Sequence, residues 1–352
     1  MQRKSHLSTY KDVGVDVAAG EAAVSLFSSK VNKTFDDRVL NDVGGFGALY
    51  GIANLGIDEP ALVSSTDGVG TKTQLARYLG RYSSIGQDLV AMCVDDIACY
   101  GAKPLFFLDY LSVGKQIPEV VSQLVTGIAD ACLRARCSLI GGETAEHPGV
   151  MDPDDFDLGG FVVGVVDTQK LWSSDRVQKG DVLLGLSSPN LRSNGFSLVR
   201  KIYGLDALNK DRVDGRSEVS APILEQLLEP SVIYSPYLAD MPLRERVHAA
   251  SHITGGGLLH NLARSIPKGL RAKVDQKSWQ VPEVFEQVSN DGQISKNEMY
   301  QVFNMGIGMV LIIPKEVSGT MSAYFEDLEL KTYEIGYVVE ATASEERSSW
   351  IE

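Results

Sequence analysis

The sequence predicts a mixed α/β protein built from two domains. Helix-like and strand-like apolar patterns alternate in both halves of the chain, which favours an α/β or α+β architecture. A length of 352 residues exceeds what a single hydrophobic core usually supports, so two domains are expected. The pattern changes near residues 167–174, and we predict domains at residues 1–172 and 173–352. The patterns alone leave open whether the strands run parallel or antiparallel.

In the first half, the spacing of apolar residues and glycines sets the order of elements. A helix is expected from Val17 to about Ser28. Apolar positions at helical spacing from Gly86 to Tyr100, followed by Gly101, predict another helix and its end. The remaining elements are strands at residues 61–67, 105–111, 138–140 and 160–166 and a helix at residues 119–136.

The second half repeats the alternation of strands and helices. Its strands are expected at residues 181–186, 308–313 and 333–339, and its helices at residues 196–203 and 319–325. Residues 206–218 are charged and contain glycine, which indicates a surface loop.

The charge of the chain restricts its partners. A formal net charge of -13 argues against binding to nucleic acid or to an anionic membrane surface. No apolar run approaches the roughly 20 residues of a membrane helix, and no secretory signal is present, so a cytoplasmic location is expected. The four cysteines, which show no metal-ligand spacing, are expected to be reduced packing residues: Cys93, Cys99, Cys132 and Cys137.

The most informative segment is the turn at residues 65–73. An acid, two glycines, a hydroxyl group and a lysine follow a predicted strand: Asp67, Gly68, Val69, Gly70, Thr71 and Lys72. Glycines let backbone N–H groups approach an anion, Lys72 could neutralise a phosphate, and Asp67 could hold a divalent cation. The Walker spacing is absent, so this would be a different phosphate-binding device. The alternative is an ordinary turn.

Acidic residues also recur on the predicted helix that starts near Gly86. Asp88 and Asp95 lie seven residues apart on one helix face, and Asp96 is adjacent. Glu143 follows two glycines at another strand end. Converging carboxylates suit a magnesium–nucleotide site, whereas the alternative is a solvated helix face.

Two further segments could contact a ligand. Ser193, Asn194 and Gly195 precede a predicted helix, where such residues often only cap the helix, although Arg192 beside them favours an anion. His252 precedes a Thr-Gly-Gly-Gly turn and is a candidate for acid–base chemistry or substrate contact. As a lone histidine it could equally be structural.

Seven motifs in collinear order together resemble the phosphoribosylformylglycinamidine cyclo-ligases, the aminoimidazole ribonucleotide synthetases of purine biosynthesis, and the likeness extends from residue 10 to residue 340. The motifs lie at residues 10–16, 44–48, 67–72, 107–110, 141–146, 193–200 and 252–257.

The resemblance implies ATP-dependent closure of formylglycinamidine ribonucleotide to aminoimidazole ribonucleotide, with release of ADP and phosphate. It implies ATP and Mg²⁺ as cofactors, and a homodimer whose N-terminal mixed sheets form a shared barrel beside C-terminal α/β sandwich domains. The alternatives are a sister ATP-dependent synthetase or kinase of the superfamily, such as a formylglycinamidine ribonucleotide synthetase or a selenophosphate synthetase, and a nucleotide-binding protein without activity.

The resemblance also implies roles for individual residues. The expected metal ligands are Asp67, Asp96 and Glu143. The expected catalytic residues are Lys30, Lys72 and His252, and the choice between Lys30 and His252 for proton transfer stays open. Expected cofactor contacts are Gly44, Gly45, Phe46, Gly47, Asp67, Gly68, Val69, Gly70, Thr71, Lys72 and Asp109. Expected substrate contacts are Arg192, Ser193, Asn194, Gly195 and Thr254.

Three residues depart from the family pattern, and one of them is His147, which stands where Met is common. Asp95 stands where the family often has Asn, and Arg192 stands where many members have His. A catalytic histidine at position 192 is therefore excluded in this chain.

Overall fold

The computed structural model describes residues 16–41, 47–205, 221–342 and 344–351. The predicted cofactor contacts Gly44, Gly45 and Phe46, and the predicted surface loop at residues 206–218, lie outside these ranges.

The first half of the chain forms a four-stranded sheet with the strand order β1-β4-β2-β3. The strands are β1 (Pro60–Gly68), β2 (Lys103–Val113), β3 (Ser138–Glu146) and β4 (Phe156–Asp167). The helices are α1 (Val17–Asn32), α2 (Lys72–Leu79), α3 (Ser83–Ala98) and α4 (Pro118–Ala135). β2 and β3 are parallel, because α4 carries the chain back across the sheet, and the pairs β1–β4 and β2–β4 are antiparallel.

The two faces of this sheet differ. Alternate residues of β2, such as Phe107 and Leu111, are fully buried under α3 and α4. The opposite face carries large apolar side chains that are partly or largely exposed, among them Leu62, Tyr110 and Phe161. Within the described part of this half, the sheet therefore has one face covered by helices and one apolar face that the described helices leave uncovered.

The second half forms a six-stranded sheet with the order β10-β7-β9-β5-β8-β6. The strands are β5 (Val182–Ser187), β6 (Ala249–His252), β7 (Leu270–Val274), β8 (Ile307–Ile313), β9 (Thr332–Glu340) and β10 (Ser348–Trp350). The helices are α5 (Phe196–Ile202), α6 (Ala221–Leu228), α7 (Ser235–Asp240), α8 (Gly257–Arg264), α9 (Glu283–Gly292), α10 (Lys296–Val302) and α11 (Lys315–Asp327). All pairs are antiparallel except β10–β7. Every residue of β8 is buried, because both faces of this central strand are covered.

The predicted mixed α/β class is confirmed, and the structure settles the strand directions that the patterns left open. The four cysteines are free thiols, as expected. Among the described residues, no helix has the length and apolar character needed to cross a membrane. The domain boundary at residue 172 stays a prediction, and it lies between the end of β4 and the start of β5.

Candidate active site

The two halves meet around a carboxylate pair and a histidine. Asp67 is the penultimate residue of β1, Asp96 lies on the face of α3 towards β1, and His252 is the last residue of β6. His252 Nδ1 lies 2.8 Å from Asp96 Oδ1, and the hydroxyl of Ser65 donates to Asp96 Oδ2 at 3.0 Å. The structure therefore brings together three predicted residues from three separate parts of the sequence.

The two carboxylates have opposite pKa shifts. Burial raises the pKa of Asp67, and the nearby charge of Asp96 adds to the rise. Burial also acts to raise the pKa of Asp96, but the hydrogen bonds from His252 and Ser65 oppose it, and the pKa is lowered overall. Asp96 is thus held ionised, with 41% of its side chain exposed.

The prediction that Arg192 contacts the substrate requires a correction, because its side chain is buried against His252 and Asp95. Its side chain is fully buried, with Nη2 2.9 Å from both Asp95 Oδ2 and His252 Nε2, while Nη1 donates to the Val232 carbonyl at 2.9 Å. Asp95 Oδ1 accepts further hydrogen bonds from the backbone N–H groups of residues 234 and 235. Asp95 and Arg192, two of the three residues that depart from the family pattern, are therefore partners in one buried ion pair.

The prediction that Lys72 contacts a phosphate and acts in catalysis also requires a correction. Its side chain is fully buried, and Nζ lies 2.7 Å from Asp88 Oδ2 while donating to the carbonyl oxygens of Arg192 and Glu229 at 3.1 and 2.8 Å. With three oxygens around it and no exposed surface, this ammonium group does not reach a phosphate in the structure. The lysine instead joins the turn after β1 to the second half of the chain.

The two buried ion pairs show whether the acids of α3 form a metal site or a solvated helix face, the two alternatives that the sequence left open. Asp88 and Asp95 have no exposed side-chain surface, so the solvated-face alternative is wrong for both. Each is instead neutralised by a buried cation from elsewhere in the sequence. Only Asp96 remains accessible for metal binding.

The predicted substrate segments lie next to this cluster. Thr71 Oγ1 lies 3.3 Å from Ser197 Oγ, which places the turn after β1 against the start of α5. The turn that holds Thr254 begins two residues after His252, and a side-chain carbon at Gly255 would lie 3.5 Å from Asn194 Oδ1. Gly195 has a packing role, because its φ of 78° is left-handed and a Cβ there would collide with Phe303.

A second site lies at the β3 edge of the first sheet. A cavity of about 970 Å³ is bounded by α1, α4 and β3, and Gly47, Asp109 and Glu143 line it. Burial raises the pKa of Asp109 to about 7, because only its own backbone N–H opposes the loss of hydration. Its carboxyl group occupies space that any side chain at the facing residue Gly142 would fill.

The strand register places Asp67 of the junction cluster and Asp109 of the edge cavity in one row of the first sheet. Asp67 pairs with Gly160, Gly160 pairs with Asp109, and Asp109 pairs with Gly142, so all four form one row across the sheet. Paired residues point to the same face, and a strand spacing of ~4.8 Å puts the backbones of Asp67 and Asp109 roughly 10 Å apart. A Cβ at Gly160, between the two acids, would lie 2.5 Å from the Phe107 ring and 2.9 Å from Cys93 Sγ, so packed side chains fill the space above this glycine.

The structure does not bring Glu143 to Asp67 and Asp96 within one chain. Glu143 lies in the next row, opposite Tyr110, and therefore points to the uncovered face. Three strand spacings, ~14 Å, separate β3 from β1. Among the described residues, no three His, Cys, Asp or Glu side chains are grouped as a metal site.

Lys30 is placed away from the domain junction. It lies on α1, and its Nζ is 3.3 Å from Asp130 of α4, with both side chains partly exposed. It therefore pairs with a residue of α4 and not, among the described residues, with the Asp96–His252 cluster.

Sequence reasoning missed Ser65. It precedes Asp67 by two residues on the same strand and so shares its face, a period-two signal that was available from the sequence. Sequence reasoning also did not predict that the acids lining the cavity at the β3 edge would come together, because residues such as Asp16 and Glu146 are 130 residues apart. The backbone N–H of Asp16 donates to Glu146 Oε2 at 2.7 Å.

Comparison with known proteins identifies the class to which this fold and site belong. Residues 50–166 match the N-terminal domain of AIR synthase related proteins, and residues 178–347 match their C-terminal domain. The chain therefore belongs to the AIR synthase related family. Within it, the chain is 46% identical over 330 residues to the phosphoribosylformylglycinamidine cyclo-ligase of Geobacillus sp. (strain WCH70), which covers 94% of this chain and 95% of the relative.

Solved structures agree on the fold. Thiamine-monophosphate kinase from Stenotrophomonas maltophilia K279a superposes with a TM-score of 0.67 at 18% identity, covering 93% of this chain and 95% of the kinase. The hydrogenase maturation protein HypE in complex with ATP superposes with a TM-score of 0.65 at 17% identity, covering 96% and 93%. At these identities the likeness concerns the fold alone.

Proposed function

We propose that this protein is an ATP-dependent cyclo-ligase that closes formylglycinamidine ribonucleotide to 5-aminoimidazole ribonucleotide, with release of ADP and phosphate, in purine biosynthesis. One observation carries the proposal: a named cyclo-ligase matches nearly the whole chain at 46% identity. Such a match favours the cyclo-ligase over a sister kinase, because the solved kinase reaches only 18%.

The charges of the edge cavity support binding of ATP together with Mg²⁺. The lining of the cavity includes five acidic side chains and no lysine, arginine or histidine among the described residues: Asp16, Glu21, Asp109, Glu143 and Glu146. A polyphosphate would be repelled by these carboxylates unless divalent cations neutralised both. Carboxylate oxygens are the ligands that Mg²⁺ prefers, so the donor set fits the ion.

Asp67 and Asp96 are the proposed metal ligands at the domain junction, and Glu143 is the proposed ligand at the sheet edge. Bound Mg²⁺ would neutralise the phosphate charge that builds up during phosphoryl transfer. Ser65 and His252 hold both oxygens of Asp96 in place, which orients the carboxylate before any ligand arrives.

The proposed reaction has two stages. The formyl oxygen of the substrate attacks the γ-phosphorus of ATP, and ADP leaves. The neighbouring nitrogen then attacks the formyl carbon, the ring closes, and phosphate leaves. The chain contributes mainly by positioning the reactants, and Asn194 and Thr254 are the proposed substrate contacts next to the cluster.

The apolar face of the first sheet supports a homodimer with a shared barrel. Leu62, Tyr110 and Phe161 are 63%, 40% and 45% exposed on one face of one sheet. A contiguous apolar face of this kind marks an interface. A second copy would cover it and would bring its own Glu143 towards the closed barrel. We place the enzyme in the cytoplasm, where purine precursors and ATP are available.

The test is an assay with formylglycinamidine ribonucleotide, ATP and Mg²⁺ that measures ADP and the aminoimidazole product in parallel. Equal amounts of both are expected. ADP release without the aminoimidazole product would indicate a sister kinase, and ATP binding without turnover would indicate a nucleotide-binding protein. Asp327→Asn, on the exposed end of α11, is the matched control for changes at acidic site residues.

A further inference from the structure

We propose that Arg192 is a positioning residue that holds His252 in the tautomer protonated on Nδ1, so that His252 serves as a fixed hydrogen-bond donor to Asp96 and transfers no proton itself. The tautomer follows from the contacts of the two side chains. Its consequence for turnover rests on the proposed function.

Arg192 has no freedom to leave His252. Its guanidinium carbon lies 4.9 Å from the centre of the Tyr234 ring, Nη2 donates to the Asp95 carboxylate, and Nη1 donates to the Val232 carbonyl. The side chains of Arg192 and Asp95 are both fully buried. A planar group with this many partners has one orientation, and that orientation directs Nη2 at His252.

The proton positions follow from the chemistry of the donors. An arginine guanidinium only donates hydrogen bonds, so the 2.9 Å contact between Nη2 and His252 Nε2 requires Nε2 to accept. The ring proton must then be on Nδ1, which lies 2.8 Å from Asp96 Oδ1, a carboxylate oxygen that only accepts. The two contacts agree on a neutral imidazole with a single arrangement of protons.

This arrangement removes His252 from acid–base chemistry. Both ring nitrogens are engaged by protein groups, and only 3% of the side chain is exposed. A general base needs a free nitrogen within reach of the substrate proton. Of the two residues that the sequence left open for proton transfer, His252 is therefore unsuited to the task.

The first experiment reads the tautomer directly, without substrate. The chain has five histidines, so ¹⁵N-histidine labelling gives five sets of ring signals, and the set missing in His252→Asn belongs to His252. The wild-type signals are expected to show a protonated Nδ1 and an unprotonated Nε2. A protonated Nε2 in the wild-type protein would overturn the proposal.

The second experiment removes the arginine while keeping the buried charge balanced. Arg192→Met alone would leave Asp95 buried without its partner, so the test variant is the double substitution Arg192→Met with Asp95→Asn. At the same pH, the Nε2 signal of His252 is expected to shift in this variant, because that nitrogen no longer accepts a hydrogen bond from the arginine and only Asp96 still fixes the ring proton. Unchanged His252 signals in the folded double variant would mean that Arg192 does not set the tautomer.

Arg246→Met is the matched control. Arg246 forms a partly exposed ion pair with Glu316, so its removal takes away an arginine without touching the cluster. The His252 signals are expected to stay as in the wild type.

Turnover separates positioning from proton transfer. In His252→Asn the side-chain amide nitrogen takes the place of Nδ1 and still donates to Asp96, so kcat is expected to stay within about tenfold of the wild type. His252→Leu removes the donor and is expected to lose about a hundredfold, the effect of losing a group that orients a metal ligand. If His252 transferred protons, the kcat of His252→Asn would itself fall by roughly 10²–10⁴-fold, the usual contribution of general acid–base catalysis. An inactive wild-type protein would refute the proposed function and leave the tautomer result standing.

Discussion

Lys72 and Asp88 form an ion pair with no exposed side-chain surface, with Nζ 2.7 Å from Oδ2. Lys72 begins α2 directly after the turn that follows β1, and Asp88 lies on α3. Burial lowers the pKa of Lys72, and the adjacent Asp88 opposes this shift. Because the ammonium also binds two carbonyls of the second half, the pair stabilises the junction of the two halves.

Removing one member of this pair should destabilise the protein strongly. Lys72→Met leaves the Asp88 carboxylate buried without its cation, and we expect the free energy of unfolding to fall by about 3–5 kcal/mol. Urea unfolding followed by circular dichroism measures the change. Lys179→Met, which breaks a pair with Glu340 that is exposed on both sides, should change it by less than about 1 kcal/mol. Equal effects of the two substitutions would contradict the role of the buried pair.

Asp109 should make stability depend on pH. Its pKa rises from 3.8 to about 7 on folding, so between these values the folded chain keeps a proton that the unfolded chain releases. The free energy of unfolding therefore decreases as the pH rises through this window and is constant above it. Asp109→Asn should remove the decrease, with an upper bound of about 4 kcal/mol from three pKa units.

Urea unfolding at pH of about 4.5 and about 8, without ATP and with a chelator, measures this effect. The gain of Asp109→Asn over the wild type should be larger at the higher pH. Asp327→Asn should show the same difference from the wild type at both values, because that residue is exposed. A gain that is independent of pH would show that Asp109 is ionised in the folded protein.

Loss of the Asp96 carboxylate should abolish most of the activity. Asp96→Ala removes the proposed metal ligand that Ser65 and His252 orient, and we expect turnover to fall by at least about a hundredfold. Titration of turnover with Mg²⁺ should also show a weaker metal dependence. Activity near that of the wild type with unchanged metal dependence would remove Asp96 from the metal site, and Asp327→Asn is the control.

A charge on the uncovered sheet face should dissociate the proposed dimer. Phe161→Glu would bury a carboxylate between the two sheets, and we expect the dissociation constant to rise by at least about a hundredfold, or roughly 3 kcal/mol. Sedimentation equilibrium measures the oligomeric state. Leu133→Glu changes a residue of similar exposure on α4 and should leave the state unaltered. A wild-type protein that is monomeric at all concentrations would refute the shared barrel.

The elements with clear local periodicity were predictable, whereas among the described residues six helices, including α2, and the strands β6, β7 and β10 were not predicted. The strand expected at residues 181–186 is Val182–Ser187, and the helix expected at residues 319–325 lies within Lys315–Asp327. The candidate site was predictable to the extent that it depends on chemistry at strand ends. Asp67 is the penultimate residue of β1, His252 is the last residue of β6, and Asp96 meets them from α3.

The sequence by itself determined the mixed α/β class, the order of most elements and the positions of the acids that meet at the junction. Only the tertiary structure decided which charged groups are free to act. Lys72 and Arg192 looked available for anions, yet each is buried against an aspartate 16 or 97 residues away in the chain. Local patterns report which face a residue occupies, whereas a buried ion pair depends on which distant segment packs against that face. Once desolvated, a charge binds its nearest opposite charge, and that partner is set by the fold.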